Sequence, residues 1–410
     1  MAGGEQFQVR FASMVYGGYT LGRLEDGRAA FVPYALPGEL ARIRLKEERP
    51  GYVRGELVEL LESSPQRIIP RCRHFAACGG CHYQHLDIDR QLEVKTAVLR
   101  EQLARLAGLP APPQLEAVPS PRAWCYRNHL QFHLSPEGRL GFKAFRSERV
   151  MTIEECHLPE PELGELWPKL EPSGLISDPD RASGRAIRVS LRRGTSGPPV
   201  VWAGPVRGPE AAAEPVEFAL PGGRFRVSPG SFFQVNTPLA AELAARVTAA
   251  VRESPASSGG RAALLDLYCG VGLFSLYAAP FAARVVGVEF APSACADYRH
   301  NLRDCAQAEL IQGRVEEVLP RLELRPGVVI ADPPRAGLGR AVARALAALR
   351  PSLLLYVSCD PATLARDARE LIRCGYSLES LTLFDLFPQT YHLESLSVWK
   401  AGSSIDLPSA

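Results

Sequence analysis

The sequence predicts an α/β protein whose C-terminal part is a mostly parallel, doubly wound sheet. Three observations support this: short apolar strands alternate with helices from about residue 231, short β segments broken by Gly and Pro fill residues 6–62, and β-rich sequence lies between them. We therefore expect a small β-barrel, a β-rich central domain and an α/β domain. Their expected bounds are 1–62, 63–230 and 231–402.

The composition is that of an ordinary globular protein. The 410 residues are 46% hydrophobic and 22% charged, which suits two or three domains. There is no run of about 18 apolar residues, and the opening "MAGGEQFQVR" has no apolar signal segment. We therefore expect a monomeric cytoplasmic protein without a membrane partner. The formal net charge of +2 neither requires nor excludes nucleic acid, so RNA binding would need local patches.

The N-terminal segment predicts a barrel with an ambiguous surface. The turn signal Asp26-Gly27 and the break Pro37-Gly38 separate strand-like runs, as in an OB-like module. Basic residues recur along it: Arg23, Arg28, Arg42, Arg44, Lys46, Arg49 and Arg54. Acidic residues are nearly as frequent, so a solvated surface is the plain interpretation and RNA contact is only slightly favoured.

A glycine turn predicts the cofactor site of the α/β domain. "DLYCGVG" follows a strand and precedes a helix, and Gly270 and Gly272 allow a tight turn against a ligand. Glu289 ends the next strand, where its carboxylate can accept two ribose hydroxyls. "GVGLFS" does not complete the dinucleotide motif G-x-G-x-x-G. Asp266 before the glycines and the acid on the second strand favour S-adenosylmethionine over a dinucleotide.

The stretch "LLLYVSCDPATLARD" (353–367) places Cys359 at the end of an apolar strand. Asp360 and Pro361 are typical of the N-cap and first residue of a helix, and a helix N-terminus favours a thiolate. The neighbouring Asp360 carboxylate opposes this. By itself the stretch fits an inert packing cysteine as well as a nucleophile, and we expect the helix dipole and a bound sulfonium to outweigh Asp360.

Two acids complete the candidate chemistry. Asp332-Pro333-Pro334-Arg335 ends another strand in a rigid turn. Glu394 opens the last strand, where its position slightly favours an edge residue or ion-pair partner over a base of raised pKa. A thiolate, a carboxylate base and a methyl sulfonium together suit methylation of a pyrimidine at C5. The target base must then be unpaired or flipped out.

With these residues, the chain resembles the RNA (uracil-C5)-methyltransferases over nearly its whole length. The motifs that carry the resemblance are "CGGCHYQH" (78–85), "YRNHLQFH" (126–133), "SFFQVN" (231–236), "DLYCGVGLFSL" (266–276), "DPPRAGL" (332–338), "SCDPATLARD" (358–367) and "FPQTYHLES" (387–395). The resemblance implies a class I methyltransferase domain and an N-terminal TRAM domain. It implies that Cys359 is the nucleophile and Glu394 the proton acceptor. The cofactor contacts that it implies are Gln234, Tyr268, Glu289 and Asp332, of which Gln234 and Asp332 also reach the uracil.

Cys72, Cys78 and Cys81 form a cluster with the spacing C-x5-C-x2-C. From spacing alone, a structural zinc site and an iron–sulfur site are equally good interpretations. The family resemblance favours a [4Fe–4S] cluster and implies Cys156 as the fourth ligand. The remaining cysteines, Cys125, Cys269, Cys295, Cys305 and Cys374, are assigned to packing.

The substrate interpretation follows from the domain set. A TRAM-like domain with the cysteine cluster is most similar to enzymes of 23S ribosomal RNA, and transfer RNA is the alternative. A non-catalytic iron–sulfur RNA-binding protein is disfavoured by the intact Cys359 and Glu394. A DNA cytosine methyltransferase is disfavoured because no Pro-Cys dipeptide occurs. His129 stands where the family commonly has Arg, which puts one RNA contact in doubt, and Leu393 replaces a usual Val.

Overall fold

The structure is a computed structural model that describes residues 5–112, 115–176, 186–206, 213–254 and 262–402. The chain divides into two compact units. The first, here called the barrel unit, comprises residues 1–99, 141–156 and 387–392. The second, the sheet unit, comprises residues 100–140, 157–386 and 393–410. The three-domain division expected from sequence stays a prediction.

Five strands of the barrel unit close into a barrel in the order β1-β2-β3-β5-β4. They are β1 (Gln6–Val15), β2 (Tyr19–Arg23), β3 (Ala29–Pro33), β4 (Leu40–Arg49) and β5 (Tyr52–Glu62). Their inward positions fill the core with residues such as Val9, Phe11, Val32, Ile43 and Val53. Alternation of buried and exposed positions places the charged side chains outside. The predicted N-terminal barrel is confirmed.

The central sequence supplies one long helix and several short antiparallel strands. The helix α1 (Ile88–Gln102) continues into a π-helical turn, Leu103–Ala107, and β8 (Leu140–Lys143) pairs with β9 (Val150–Thr152). In the sheet unit, β10 (Ile187–Arg192) lies between β7 (His129–Leu134) and β11 (Val200–Pro205). Further elements are the hairpin of β12 (Val216–Leu220) and β13 (Gly223–Val227), and the short helices α2 (Pro161–Leu166) and α3 (Pro172–Leu175).

The sheet unit is built on an eight-stranded sheet in the order β16-β15-β14-β17-β18-β20-β19-β6. The strands are β6 (Leu115–Val118), β14 (Ala263–Leu267), β15 (Arg284–Glu289), β16 (Ala308–Gln312), β17 (Val328–Ala331), β18 (Leu353–Ser358), β19 (Tyr376–Phe384) and β20 (Glu394–Ala401). The five strands from β16 to β18 are parallel, whereas β20 runs antiparallel between β18 and β19. The predicted doubly wound sheet is confirmed, and β6 and β19 were not foreseen.

Helices alternate with these strands. They are α4 (Thr237–Arg252), α5 (Leu273–Ala278), α6 (Pro292–Asn301), α7 (Val315–Val318), α8 (Gly339–Leu349) and α9 (Pro361–Arg373). Central strands such as β17 and β18 are buried at every position, which explains their unbroken apolar sequence. Parallel strands carry their ligands at one carboxyl edge. Within the described part of the chain, no helix is long and apolar enough to cross a membrane.

Candidate active site

The strand β14 ends in a turn with unusual backbone angles. Tyr268, Gly270 and Gly272 have φ angles of 59°, 54° and 91°, a region that side chains other than glycine seldom enter. A Cβ at Gly272 would lie 2.4 Å from the side chain of Leu302, whereas a Cβ at Gly270 would meet nothing within 4 Å. The turn is therefore packed on one side and open at Gly270.

Glu289, at the end of β15, is joined to this turn. Its Oε2 accepts a hydrogen bond from the Gly270 amide at 3.0 Å, and its Oε1 accepts from the amides of Phe290 and Ala291 at 2.7 Å each. Oε1 thus uses both of its lone pairs, whereas Oε2 keeps a second lone pair for a ligand hydroxyl. The glycine turn and the acid predicted to serve the same cofactor thus form one site.

Asp266 and Asp332 lie at the ends of neighbouring strands, β14 and β17. Oδ2 of Asp266 accepts from the Ser275 hydroxyl at 2.6 Å, and its Oδ1 has no hydrogen-bond partner among the described residues. Burial raises the pKa of Asp266 to about 7. Burial, and then the negative charge of Asp266, raises the pKa of Asp332 to about 7. Close carboxyl groups of this kind titrate as a pair.

Cys359 follows β18, and Asp360 caps α9 as predicted. The Asp360 carboxylate accepts from the amides of Ala362 and Thr363 at 2.9 Å each. Burial raises the pKa of the Cys359 thiol to about 12, followed by the charges of Glu394 and Asp332. The Asp360 carboxylate is the last of these causes. Asp360, which we expected to be the main obstacle to ionisation of the thiol, therefore has a minor effect. Burial has the largest effect.

Strand register brings Glu394 opposite Cys359. Ser358 of β18 faces Ser395 of β20, and the Ser395 hydroxyl donates to the Ser358 carbonyl at 3.2 Å. In an antiparallel pair, the next opposed positions are Cys359 and Glu394. The position is not at a sheet edge, because β20 lies between β18 and β19. The interpretation of Glu394 as an edge residue was therefore wrong.

The Glu394 carboxyl is isolated from hydrogen-bond donors. The residue is only 3% exposed, and its Oε1 has no hydrogen-bond partner within the part of the chain that the structure describes. Burial, and then the Asp332 charge, raises the pKa of Glu394 well above its usual value, against the opposing charge of Arg335. Burial and neighbouring charges therefore shift both the Glu394 carboxyl and the Cys359 thiol towards their neutral forms.

Gln234 presents a second open acceptor. It lies just before α4, and its backbone carbonyl accepts from the Asn128 side chain at 3.0 Å. Asn128 also donates to the Thr237 hydroxyl at 3.0 Å, which fixes the loop from two sides. Oε1 of Gln234 is buried without a hydrogen-bond partner among the described residues. A buried acceptor of this kind needs a ligand donor or water.

The structure accounts for the departure at His129 and for the assignment of Cys269. The ring of His129 stacks on Trp202 with centroids 5.7 Å apart, and burial, then Arg192, holds its pKa well below the usual value. It is a neutral packed ring and supplies no cation. Cys269, in the glycine turn, is buried against Tyr298 and Leu302, which confirms its assignment to packing.

The four cluster cysteines belong to the barrel unit, and none of them forms a disulfide with another described cysteine. The segment of Cys72 is tied to that of Cys156, since the Arg73 amide donates to Glu155 at 2.7 Å. The Cys78 sulfur accepts from the Gly80 amide at 3.4 Å. Across the described residues, however, no three His, Cys, Asp or Glu side chains are grouped to hold a metal ion. The thiols thus do not form a ready-made metal site.

Three features escaped the sequence. Phe232, two residues before Gln234, is 66% exposed, and Phe290, next to Glu289, is 54% exposed. Asp367 of α9 is buried and accepts from the Tyr356 hydroxyl at 2.9 Å and the Leu338 amide at 2.7 Å. It thereby fastens the loop after Asp332 to the helix after Cys359. The sequence signal for these rings was the presence of aromatic residues next to motif positions. The sequence does not show, however, which ring of Phe232-Phe233 is exposed.

Comparison with known proteins places the chain in a family. Residues 317–401 match the tRNA (uracil-5-)-methyltransferase family and residues 4–58 match the TRAM domain. An uncharacterized RNA methyltransferase of Streptomyces avermitilis is 33% identical, covering 96% of this chain and 98% of its own. One from Thermotoga maritima is 32% identical over 95% of this chain and 97% of its own.

A solved structure is similar to this chain over nearly its whole length. The Pyrococcus abyssi tRNA (uracil-54, C5)-methyltransferase, in complex with S-adenosyl-L-homocysteine, is 25% identical with a TM-score of 0.70. The alignment covers 95% of this chain and 99% of that one. Fold and glycine turn therefore define a class I methyltransferase. The chain belongs to the RNA (uracil-C5)-methyltransferase family, which confirms the resemblance of its motifs, and it is an RNA methyltransferase.

Proposed function

We propose that the protein methylates C5 of a uridine in RNA and that its preferred substrate is 23S ribosomal RNA. The observation that carries the reaction is the register of β18 and β20, which sets Cys359 opposite a buried carboxyl with an open oxygen. A thiol and an acid so placed can act on adjacent atoms of one ring. The family match to uracil-5 methyltransferases supports the same chemistry.

The reaction needs a covalent step because C5 of uracil is a weak nucleophile. The Cys359 thiol first loses its proton to solvent, and its sulfur then adds to C6, which places electron density on C5. S-adenosylmethionine, when bound, supplies an electrophilic methyl group and a positive charge that lowers the cost of ionising nearby groups. C5 forms its bond to the methyl carbon as the sulfonium–methyl bond breaks.

Glu394 then closes the cycle. In its ionised form it accepts the C5 proton, and the electrons of that C–H bond restore the double bond between C5 and C6. The bond from C6 to sulfur breaks and Cys359 leaves as a thiolate. Asp332 assists, because its negative charge raises the pKa of Glu394 and so strengthens Glu394 as a base. The pKa of Asp332 is itself raised to about 7, so the two acids exchange protons near neutral pH.

Four residues are proposed to hold the cofactor: Gln234, Tyr268, Glu289 and Asp332. Oε2 of Glu289 retains a lone pair for a ribose hydroxyl, and the open side of Gly270 leaves room for a ligand against the backbone. The open acceptor of Gln234 suits an N–H donor of the uracil or cofactor. Asp332 would lie between the two ligands.

The choice between RNA classes rests on the domain set. A TRAM domain with four clustered cysteines favours ribosomal RNA, whereas the Pyrococcus abyssi relative acts on transfer RNA, which makes tRNA the alternative. A non-catalytic RNA-binding role is the remaining alternative. Purified enzyme with methyl-labelled S-adenosylmethionine should form 5-methyluridine in unmodified 23S rRNA. Label in tRNA alone would overturn the substrate, and no 5-methyluridine in either would overturn the function.

Cys359→Ala tests the mechanism. This variant should bind RNA but transfer no measurable methyl group, because no sulfur can add to C6. Cys305→Ala is the matched control, since Cys305 is a half-buried thiol outside the site, and its turnover should stay within about twofold of the wild type. Undiminished turnover by Cys359→Ala would end the proposal of a covalent mechanism.

We further propose that Cys72, Cys78, Cys81 and Cys156 bind a [4Fe–4S] cluster that stabilises the RNA-binding part of the chain. Their spacing, the absence of disulfides among the described cysteines and their place in one unit support this. The side chains would have to draw together on binding. Anaerobically purified protein should contain iron and sulfide in equal amounts, and Cys81→Ser should lose both. Stoichiometric zinc without iron would overturn the cluster.

A further inference from the structure

Aromatic rings from three segments of the barrel unit follow one another without a break. We call them the ring stripe: Tyr16, Tyr19, His82, Phe145, Arg146 and Tyr391. Ring centroids are 6.2 Å apart for Tyr19 and Phe145, 5.4 Å for Phe145 and His82, 4.5 Å for His82 and Tyr391, and 5.9 Å for Tyr391 and Tyr16. Tyr19 and His82 are buried beneath the stripe, while Tyr16, Phe145 and Tyr391 are partly exposed.

Arg146 lies on this stripe with its charge uncompensated. Its guanidinium carbon is 4.4 Å from the centroid of Tyr19 and 5.7 Å from that of Phe145. The side chain is exposed, and no carboxylate in the described ranges forms an ion pair with it. Its φ angle is 48°, a left-handed conformation that costs free energy outside glycine. The backbone therefore holds this cation over the rings at a cost.

Several other arginines of the barrel differ in this respect. Arg42 pairs with Glu59 at 2.5 Å, Arg44 with Glu56 at 2.8 Å, and Arg54 with Glu47 at 2.7 Å. Each of these three guanidinium groups thus has a carboxylate partner on the barrel itself, although Glu56 is shared with Lys46 and Glu47 with Arg49. The stripe combines a guanidinium that has no carboxylate partner among the described residues with rings that are partly exposed.

Close packing against two glycines shapes the stripe. A Cβ at Gly18 would lie 2.9 Å from Cδ1 of Tyr391, and a Cβ at Gly17 would lie 3.4 Å from Nη2 of Arg146. Both glycines also have positive φ angles, 92° for Gly17 and 77° for Gly18. A side chain at Gly17 or Gly18 would therefore fill the space that the Arg146 guanidinium and the Tyr391 ring now occupy.

Tyr391 ties the stripe to the reaction by covalent continuity. It lies in the segment 387–392, whose Gln389 carbonyl accepts from the amides of His82 and Tyr83 at 2.8 Å and 3.0 Å. The segment is thus anchored in the barrel unit. Only Leu393 lies between this segment and Glu394, the first residue of β20. A ligand of Tyr391 therefore contacts a residue that lies three positions along the chain from the proposed base, Glu394.

We propose that the ring stripe binds unpaired bases of the RNA substrate, close in sequence to the target uridine. The inference rests on the proposed function and names a binding surface for it. Aromatic faces and guanidinium planes are the groups on which single-stranded bases stack, and the uncompensated charge of Arg146 complements the phosphates. Tyr391 and Tyr16 stack bases, and Arg146 contacts a base face or phosphate.

Kinetics with the full-length enzyme test the proposal. Tyr391→Leu and Arg146→Ala should each raise KM for the RNA roughly 5- to 100-fold, with kcat and the affinity for S-adenosylmethionine changed less than about threefold. Tyr391→Phe should restore the wild-type KM, because it keeps the ring face. Arg42→Ala is the matched control: it removes a barrel arginine whose charge is already paired, and KM should not change.

Binding of a short oligouridylate, measured by fluorescence anisotropy, separates this inference from the proposed function. The wild type should bind the single strand more tightly than a duplex of the same length, and Tyr391→Leu should lose that preference. Wild-type binding by both Tyr391→Leu and Arg146→Ala would overturn the ring stripe even if uridine methylation is found. Weakened binding without any 5-methyluridine formation would uphold the stripe and overturn only the proposed function.

Discussion

The barrel and the carboxyl edge of the sheet treat acidic side chains in opposite ways. In the barrel unit, burial alone would raise the pKa of Glu39, but the Arg67 guanidinium and two backbone amides hold it below its usual value. Hydrogen bonds from Arg49 and Arg54 lower the pKa of Glu47. At the carboxyl edge of the sheet, burial raises the pKa values of both Asp332 and Glu394. The charge of Asp266 raises that of Asp332 further, and the charge of Asp332 raises that of Glu394.

The difference separates acids that stabilise the fold from acids that are kept at a cost. A carboxylate beside a guanidinium is more stable ionised, and its charge contributes to folding. A buried carboxyl that faces another carboxyl or a thiol destabilises the fold when it ionises. Such groups are typical of catalytic sites, because a raised pKa provides a base near neutral pH. The following experiments test this contrast.

The largest effect is expected for Glu394→Gln. Turnover should fall roughly 10²- to 10⁴-fold, and a covalent RNA–protein adduct should accumulate, because addition and methyl transfer proceed while the C5 proton cannot leave. A denaturing gel with labelled RNA measures the adduct. Glu379→Gln is the control, since Glu379 is an exposed acid of the same sheet paired with Lys400 at 3.1 Å. Wild-type turnover by Glu394→Gln would contradict its role as a base.

The second effect concerns the reactivity of Cys359. With a thiol pKa raised to about 12 by burial, Glu394 and Asp332, iodoacetamide should alkylate it slowly at pH 7 and roughly tenfold faster per pH unit from pH 8 to 10. S-adenosylmethionine should shift the profile to lower pH, whereas S-adenosylhomocysteine, whose thioether sulfur carries no charge, should not. Peptide mass spectrometry follows the reaction. A profile centred near the ordinary thiol value of about 8.5 would refute the contrast.

The third effect is a change in stability of opposite sign in the two units. The folded pKa of Asp266 is about 7, against about 3.9 unfolded, so the folded chain binds more protons and stability falls as pH rises from about 4 to 7. Asp266→Asn should therefore raise the free energy of unfolding at pH 8 by about 1–3 kcal/mol, measured as a higher melting temperature. Near pH 4 the variant should lose this advantage.

Glu39→Gln should do the reverse. Its folded pKa is lowered, so its ionised form stabilises the barrel above the unfolded pKa of about 4.3, and this is lost as pH falls through the folded value. Glu39 pairs with Arg67 at 2.6 Å. The variant should therefore lower the melting temperature at pH 8 and matter less under acid conditions. Shifts of the same sign for Asp266→Asn and Glu39→Gln at pH 8 would break the comparison.

The smallest effect is expected on the barrel surface. Arg42 and Glu59 form an ion pair whose side chains are 41% and 52% exposed, and such pairs contribute about 0–1 kcal/mol. Arg42→Ala should change the unfolding free energy within that range, and added salt should shrink the difference further. A loss above about 2 kcal/mol in denaturant unfolding would show that the barrel charges do more than solvate its surface.

Features that depend on nearby residues were predictable from the sequence. The alternation of apolar strands with helices indicated the parallel sheet, because strands buried on both faces are continuously apolar. Asp360-Pro361 indicated the cap of α9, because capping involves only the next three residues. The glycine turn after β14 and the acid after β15 followed from the same local rules, and so did the position of Cys359 at a strand end.

Features that depend on distant residues were decided only in the tertiary structure. Register sets Cys359 opposite Glu394 by inserting β20 between β18 and β19, and no local signal specifies that pairing. The raised pKa of Cys359 depends on burial and on carboxyls from two other strands. The placement of residues 387–392 in the barrel unit is of the same kind. The sequence by itself determined which side chains are available at strand ends. The long-range pairing of strands decided which of them face one another, because electrostatic and packing energies depend on neighbours that lie far apart along the chain.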